Sequence, residues 1–308
     1  MAVKTFQFLV SLFLLLVILI NFVQPEPTGH PFKSIQNLVG SQKGQSVSRL
    51  HLVKQYLKKF GYLNYDLSSN KVPNQANNDV FDDLLESAIR TYQQKFHLEV
   101  TGKLDNHTVN QMTKPRCGVP DIFSDTKHYN SSNSSDGVAT ADYSFFPGAP
   151  KWSKKILKYK IGATVQVAGS ENFKSVCIQS FQKWAEVTDF LFKEVTSSAD
   201  ADIEIAFKRL DHGDNHPFDG PRGIYAHGFR PPIGILHFDA DETWSSNPGP
   251  LELDLESVAV HEIGHLLGLG HSEDHPESIM YPYFDYGKKK RNLQEDDIEG
   301  IQDLYGLD

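Results

Sequence analysis

Residues 261–271 read HEIGHLLGLGH, and this stretch decides both the fold and the predicted chemistry. On a helix, residues four apart lie on the same face, so His261 and His265 can direct two imidazoles at one metal ion. Glu262 is rotated by about 100° from His261, so its carboxylate lies near that metal without binding it. The chain then turns back and brings His271 to the same point as a third ligand.

The three histidines predict a catalytic zinc site. Gly268 is a natural end for the helix because glycine tolerates a positive φ. Three neutral ligands leave a fourth position for water, as catalytic zinc requires, and Glu262 then serves as the general base. The alternative is a helix that carries solvated histidines. Apolar residues at helical spacing favour a buried helix instead: Leu255, Val258, Ile263, Leu266 and Leu267.

Composition and the N-terminus predict a secretory protein. The chain has 308 residues and a net charge of −9, which argues against a nucleic-acid partner because such proteins usually carry a basic face. Lys4 precedes an apolar run over 6–23, which predicts a signal peptide at 1–25, with an uncleaved signal anchor as the alternative. We expect no GPI anchor, because the chain ends without an apolar tail. Three sequons for N-glycosylation agree with the secretory route: Asn106, Asn130 and Asn133.

The region between the apolar run and residue 113 is predicted to be helical. Apolar residues at helical spacing predict helices over 48–60 and 79–96, with Ser48 as an N-cap of the first. A third, shorter helix begins after another N-cap, Asp105. Residues 124–142 lack periodicity and are predicted to form an exposed linker, a natural site of proteolysis.

Beyond the linker, strands are mixed with helices, which predicts an α/β domain. Alternating or short apolar runs between glycines and prolines predict the strands at 156–161, 203–207, 224–229 and 234–238. Longer periodic segments predict the helices at 172–187, 253–267 and 295–305.

Two motifs together identify a family. Met280 lies nine residues after His271 and completes the pattern of metzincins, which is the extended zinc helix plus a Met-turn. Residues 115–121 read PRCGVPD. With both motifs, the chain resembles the matrix metalloproteinases over about residues 40–308, in the short plant-type form that lacks a hemopexin-like domain. The resemblance implies an α/β (α+β) metzincin catalytic domain with a mixed five-stranded sheet and three helices, preceded by a small three-helix pro-domain.

The resemblance also implies a latent precursor. It places a pro-segment with a peptidoglycan-binding-like domain, the switch and the linker at 26–140, and the catalytic domain at 141–308. In the family the PRCGVPD motif is the cysteine switch, so Cys117 is expected to bind the catalytic zinc as a thiolate in place of water. The alternative is a Cys117–Cys177 disulfide. Cys177 lies on the apolar face of its predicted helix, which suits a buried free thiol.

Further metal sites follow from the resemblance. Four side chains match the family's structural zinc ligands and form a closed tetrahedral set, with surface loop histidines as the alternative: His212, Asp214, His227 and His237. Three carboxylates and three backbone oxygens match a calcium site, with ordinary loop acids as the alternative: Asp219, Asp239 and Glu242, and Gly220, Arg222 and Ile224. A second calcium site retains Asp202, but Ile235 stands where the family has an aspartate.

The predicted function is that of a secreted, latent zinc endopeptidase. We expect two zinc ions per chain, calcium, extracellular protein or peptide substrates, an activating protease and a monomeric state. The expected location is the extracellular space or the cell wall. Substrates are expected to lie as extended peptides along the strand at 234–238. Two alternatives are a module that binds a cell-wall polymer, with the zinc domain as a passenger, and a member of another metzincin family.

Overall fold

The computed structural model describes residues 31–65, 78–123, 143–162 and 166–307. The predicted signal peptide at 1–25, the predicted linker at 124–142, and the sequons Asn130 and Asn133 lie outside these ranges. Asn106 lies within them and is exposed. Within the described ranges, no helix has the length and apolar character needed to cross a membrane.

The pro-segment is helical, as predicted. Its elements are a 3₁₀ helix Pro31–Leu38, followed by α1 Leu50–Lys59, α2 Asp83–Lys95 and α3 Asn106–Met112. Asp82 is the N-cap of α2, and its Oδ1 accepts a hydrogen bond from the Leu85 N–H at 2.8 Å. Asp105 caps α3 in the same way through the Thr108 N–H at 2.9 Å, which confirms that prediction.

The predicted N-cap of α1 is wrong. The residue before the helix is Arg49, which has a φ of 72° and makes no side-chain cap. Asp79, which is distant in sequence, accepts hydrogen bonds from the backbone N–H groups of Arg49 and His51, each at 3.1 Å. A carboxylate outside the helix thus satisfies N–H groups of its first turn, and Ser48 is not needed there.

Within the described ranges, one sheet has six strands in the order β1-β5-β6-β4-β2-β3. These are β1 Arg116–Cys117, β2 Ile156–Ile161, β3 Leu191–Glu194, β4 Ile203–Lys208, β5 Ile224–Gly228 and β6 Ile235–Asp239. Neighbouring strands are parallel except β5 and β6, so the sheet is mixed as predicted. Five strands follow residue 150, and the pro-segment adds β1 as a sixth. The sequence did not predict β3, because its residues are mostly exposed and do not alternate.

The prediction that substrate lies along residues 234–238 is wrong. Strand β6, which covers the prediction at 234–238, lies between β5 and β4 and pairs with both. Both of its edges are therefore occupied. Strand β5 has β6 on one side and only the two residues of β1 on the other, so β5 is the edge that the pro-segment covers.

The remaining elements complete the catalytic part. Short strands β7 Trp244–Ser245 and β8 Leu253–Asp254 pair with each other. The three helices end within two residues of their predicted bounds: α4 Phe173–Ala185, α5 Leu255–Leu267 and α6 Glu295–Tyr305. Two indole N–H groups hold α5 in the core. Trp184 Nε1 donates to Val260 O at 2.9 Å, and Trp152 Nε1 donates to Leu266 O at 2.8 Å.

Candidate active site and metal centres

Helix α5 carries the first two histidines, and every residue of it is buried. The helix begins after Asp254, whose Oδ2 accepts from the Ser257 N–H at 3.0 Å. It ends at Gly268 with a φ of 110°, as predicted. Gly264 allows Met280 to pack against the helix, because a Cβ there would lie 2.3 Å from the Met280 sulfur. The Met-turn therefore supports the helix at the turn that bears the histidines.

The three histidines meet at one point. The Nε2 atom of His265 lies 3.1 Å from that of His261 and 3.2 Å from that of His271. Burial, and after it the neighbouring imidazoles, hold the pKa of His261 and His265 well below the usual value, so these rings are neutral.

The hydrogen bonds of the three Nδ1 atoms explain why a cation fits between the Nε2 atoms of the histidines. Each Nδ1 faces an acceptor: Ile279 O at 2.7 Å from His261, Leu269 O at 2.8 Å from His265, and Asp121 Oδ1 at 2.8 Å from His271. A neutral imidazole that donates from Nδ1 presents a lone pair at Nε2. Three lone pairs facing one another in a buried site lack a proton to share, and a metal ion satisfies all of them.

The thiol of Cys117 belongs to the same group. Its sulfur lies 3.4 Å from His265 Nε2, and one ligand atom from each of the four residues lies within 4.8 Å of the others. Both cysteines of the chain are free, so the alternative of a Cys117–Cys177 disulfide is wrong. Burial, and next the charge of Glu262, raise the pKa of the Cys117 thiol in the metal-free protein. A bound cation reverses this effect, because zinc takes cysteine as the thiolate.

Backbone hydrogen bonds hold the cysteine in place. The Arg116 N–H donates to Gly223 O at 3.0 Å, and the Gly118 N–H donates to Ala226 O at 2.8 Å, which joins β1 to β5. On the other side, the Cys117 N–H donates to Pro282 O at 2.9 Å. The switch segment therefore lies between the edge strand and the segment after the Met-turn. An extended peptide added to the edge of β5 would need the same groups.

Glu262 lies beside the thiol and is fully buried. Neither carboxylate oxygen makes a hydrogen bond of normal geometry with the described residues. Burial, only partly offset by the Cys117 thiol, raises the pKa of Glu262 to about 8. A cation at the neighbouring metal position would lower this pKa, because it favours the charged carboxylate.

A second cluster gathers the four predicted structural zinc ligands. Asp214 Oδ2 lies 2.8 Å from His212 Nε2, 2.8 Å from His227 Nε2 and 2.9 Å from His237 Nδ1. Burial by itself would raise the pKa of Asp214, but hydrogen bonds from His227, the His216 N–H and His237 hold it well below its usual value. One ligand atom from each of the four residues lies within 4.8 Å of the others. This donor set of three imidazoles and one carboxylate fits a closed zinc site.

Comparison with known proteins agrees with this geometry. Residues 151–306 match the family Matrixin, and residues 46–112 match the family named "Putative peptidoglycan binding domain". Metalloendoproteinase 5-MMP of Arabidopsis thaliana is 42% identical over 91% of this chain and 77% of its own length. Metalloendoproteinase 1 of Glycine max is 43% identical over 86% of this chain and 84% of its own. The neutrophil collagenase of Homo sapiens is 39% identical over 83% of this chain and 50% of its own.

The chain belongs to the matrixin family. It is therefore a zinc-dependent metalloendopeptidase with a helical pro-domain, and the alternative of another metzincin family is wrong. The helical pro-segment, which the sequence predicted from its periodicity, lies outside the matrixin match and contains the residues 46–112 that match the peptidoglycan-binding family.

The calcium candidates of this matrixin lie in one loop region. Asp219 Oδ1 accepts from the Ile224 N–H at 2.8 Å, and Glu242 Oε1 accepts from the Arg222 N–H at 2.6 Å. Asp239 Oδ2 is buried without a hydrogen-bond partner among the described residues. Burial, and after it the charge of Asp219, raise the pKa of Asp239 to about 7. A buried carboxylate oxygen without a donor, near two further acids, fits a hard cation.

The candidate for a second calcium site has a different partner. Asp202 forms an ion pair with Lys154, and its Oδ2 accepts from the Lys158 N–H at 2.9 Å. The ammonium group of Lys154 thus provides the positive charge next to this carboxylate. A second calcium ion at Asp202 therefore stays a prediction.

Sequence reasoning missed the residues that join the pro-domain to the catalytic domain. Arg116 is fully buried, pairs with Asp121 and stacks on Phe60, with its guanidinium carbon 3.5 Å from the ring centre. Its Nη1 also donates to the hydroxyl of Tyr283 at 3.2 Å. Arg116 and Asp121 are both in the PRCGVPD motif, so the motif was an available signal. Nothing in the sequence marked Tyr283 as a contact of the pro-domain.

Proposed function

We propose that this matrixin is a secreted, latent endopeptidase that cleaves extended segments of extracellular proteins, and that Cys117 keeps it latent. One observation supports latency above all others, namely that the Cys117 sulfur lies 3.4 Å from His265 Nε2 among the three histidines. The proposed division of the chain is a signal peptide at 1–25, a pro-segment at 26–140 and a catalytic domain at 141–308.

The proposed mechanism assigns one task to each group. His261, His265 and His271 hold the catalytic zinc through Nε2, each oriented by the acceptor behind its Nδ1. Zinc bound there supplies Lewis acidity, which polarises a peptide carbonyl and makes water acidic enough to react near neutral pH. Glu262 takes a proton from water and returns it to the amine of the leaving peptide. Its position supports this role, because it is buried next to the metal position and no described group occupies its carboxylate oxygens.

Substrate is proposed to lie along β5, where the pro-segment lies now. The carbonyls of Gly223 and Ala226 accept hydrogen bonds from the pro-segment and become available once it leaves. The end of this strand lies against Glu262, because the Cβ of a residue at position 228 would lie 2.8 Å from Glu262 O and 3.2 Å from Glu262 Oε2. Gly228 provides the space for this close approach.

The proposed metal content is two zinc ions and calcium. The second zinc is held by the cluster around Asp214, and calcium by Asp219, Asp239 and Glu242 with backbone oxygens of Gly220, Arg222 and Ile224. The expected partners are protein substrates and a protease that cuts the linker, and the expected state is a monomer.

Latency is tested with full-length protein before and after cleavage in the linker. We expect the uncut protein to hydrolyse a quenched peptide substrate poorly and the cut protein to hydrolyse it well. Cys117→Ser should activate the uncut protein, because serine is a poorer zinc ligand than thiolate. Cys177→Ser is the matched control and should leave the uncut protein latent. Equal activity of uncut and cut protein, unchanged by Cys117→Ser, would refute the proposal.

A second candidate function is binding of a cell-wall polymer by the pro-domain. The match of residues 46–112 to a peptidoglycan-binding family favours it. Full-length Glu262→Ala protein would be incubated with insoluble wall polysaccharide and sedimented. Retention in the pellet supports binding, whereas complete recovery in the supernatant rejects it.

A further inference from the structure

The three zinc-binding histidines differ in what lies behind them. The Nδ1 atoms of His261 and His265 face backbone oxygens of the catalytic domain, at Ile279 and Leu269. His271 instead faces a side chain of the pro-segment, with its Nδ1 2.8 Å from Asp121 Oδ1. The side chains of both residues are fully buried.

The pro-segment holds this carboxylate firmly. Asp121 forms an ion pair with Arg116, and its Oδ2 accepts from the Tyr62 hydroxyl at 2.8 Å. The Asp121 N–H donates to Phe60 O at 3.1 Å, so its backbone is tied to the end of α1. The carboxylate is thus placed by residues that leave with the pro-segment, and it lies four positions after Cys117 in the chain.

A carboxylate behind a metal-binding imidazole has a known physical effect. It fixes the tautomer and the orientation of the ring, and it makes the other nitrogen a stronger donor to the metal. Loss of such a partner typically lowers metal affinity by about 10- to 100-fold. A neutral carbonyl oxygen polarises the ring less, because a charged acceptor forms the stronger hydrogen bond.

We infer that Asp121 is a positioning residue for the catalytic zinc, so that the pro-segment supports the metal from two sides. Cys117 provides a ligand in front, and Asp121 strengthens His271 from behind. The latent protein then holds zinc more tightly than the thiol alone accounts for. Removal of the pro-segment both opens the position for water and weakens the bond from His271. The inference rests on the proposed zinc site and on the proposed latent state.

The test compares two substitutions in full-length protein, both of which break the Arg116–Asp121 ion pair. Asp121→Asn removes the charge behind His271, whereas Arg116→Gln leaves that charge in place. The rate of zinc loss to an excess of a chromogenic chelator is measured for both variants and for the unmodified protein. We expect Asp121→Asn to lose zinc at least about tenfold faster than Arg116→Gln. Equal rates would overturn the inference, because both variants would then act only by loosening the pro-segment.

Two spectroscopic measurements separate the inference from the proposed function. In cobalt-substituted protein, the thiolate-to-cobalt absorption band reports whether Cys117 binds the metal. Absence of this band in the unmodified protein would refute the proposed latency itself. In zinc-loaded protein, the Nδ1 proton of His271 is expected far downfield and should move upfield in Asp121→Asn. An unchanged proton shift would overturn the inference while leaving latency intact.

A third comparison applies if Asp121→Asn detaches the thiol. The same substitution is then made in Cys117→Ser protein, where no thiolate contributes to zinc binding. We expect the double variant to lose zinc at least about tenfold faster than Cys117→Ser alone. Equal rates in that background would overturn the inference.

Discussion

The hydroxyl oxygens of Tyr92 and Tyr283 lie 2.8 Å apart, and this contact joins helix α2 of the pro-domain to the segment that follows Met280. Tyr283 also contacts the Tyr56 hydroxyl at 3.1 Å and receives a hydrogen bond from Arg116. Its side chain is packed among pro-domain residues, and its ring centre lies 5.3 Å from that of Phe96. The pro-domain therefore contacts the catalytic domain next to the zinc site as well as through the cysteine.

The Tyr92 contact should help to keep the switch closed. Replacing Tyr92 with Phe removes one buried hydrogen bond, worth about 1 kcal/mol, which corresponds to about a fivefold larger open population. We expect Cys117 of the zinc-loaded, full-length variant to react about fivefold faster with a thiol reagent. Tyr65→Phe is the matched control, because the Tyr65 hydroxyl bonds to Asp82 within the pro-domain. Identical reaction rates for the two variants would contradict the prediction.

Loss of the general base should abolish hydrolysis without loss of metal. Glu262→Gln keeps the size of the side chain, but the amide cannot take a proton. We therefore expect kcat of the processed enzyme to fall by about 10²- to 10⁴-fold. Zinc content, measured by atomic absorption, should stay at the unmodified value. Glu299→Gln, at an exposed position of α6, is the control and should retain full activity. Substantial hydrolysis by the Glu262 variant would show that another group carries the proton.

The cluster around Asp214 should account for one of two zinc ions. Asp214→Ala removes the oxygen shared by His212, His227 and His237. We expect the metal content of processed protein to fall from about two zinc ions per chain to about one, with a lower melting temperature, because a structural zinc contributes directly to folding. His216→Gln replaces a neighbouring histidine outside the cluster and should retain both ions. A zinc content that does not differ between the variants would refute a second site.

Calcium should stabilise the protein more at high pH than at low pH. Burial, and after it other groups of the loop, raise the pKa of both Asp239 and Glu242 to about 7. Between the unfolded values near 4 and about 7, the folded state without calcium binds more protons than the unfolded state, so stability falls as pH rises. Bound calcium removes this penalty by favouring the charged carboxylates.

The protein is first loaded with zinc and freed of calcium. The pH effect is then measured as the rise in its melting temperature when calcium is added. We expect a larger rise at pH 8 than at pH 5. Asp219→Asn should reduce the rise at pH 8, whereas Asp189→Asn, at an exposed site paired with Lys155, should not. A rise that is independent of pH, or unaffected by Asp219→Asn, would argue against this set of ligands.

The packing of Met280 against α5 should require glycine at position 264. A Cβ there would lie 2.3 Å from the Met280 sulfur and 3.0 Å from Trp184 Cζ2. Alanine is the better helix former, but crowding in the core is expected to outweigh this and destabilise the protein by about 1–3 kcal/mol. Gly249→Ala is the control, because its nearest neighbour would be at an ordinary 3.4 Å. Denaturant unfolding of both variants tests the prediction.

Elements held by local interactions were predicted well. The bounds of β2 and α6 agree with the predictions at 156–161 and 295–305, since periodicity marks both. Asp105 was predicted as an N-cap because a cap acts within one turn of its helix. Ser48 was not the cap of α1, since Asp79 reaches that helix from outside it. Strand β3 was missed because its exposed residues show no alternation.

The local sequence was enough to predict α5 and the meeting of its histidines with His271. Spacing of four residues brings His261 and His265 together on any helix, and the glycines at 268 and 270 return the chain to His271. These relationships span few residues, so the backbone geometry of one segment decides them.

Contacts between distant segments, in contrast, depend on how the whole chain packs. Asp121 and His271 are 150 residues apart in sequence, and Tyr92 and Tyr283 are 191 apart. Likewise, β5 rather than β6 is the edge that the pro-segment covers, because strand order depends on long-range pairing. Such contacts arise when separate buried surfaces pack together, and no local pattern of residues records which surfaces those are.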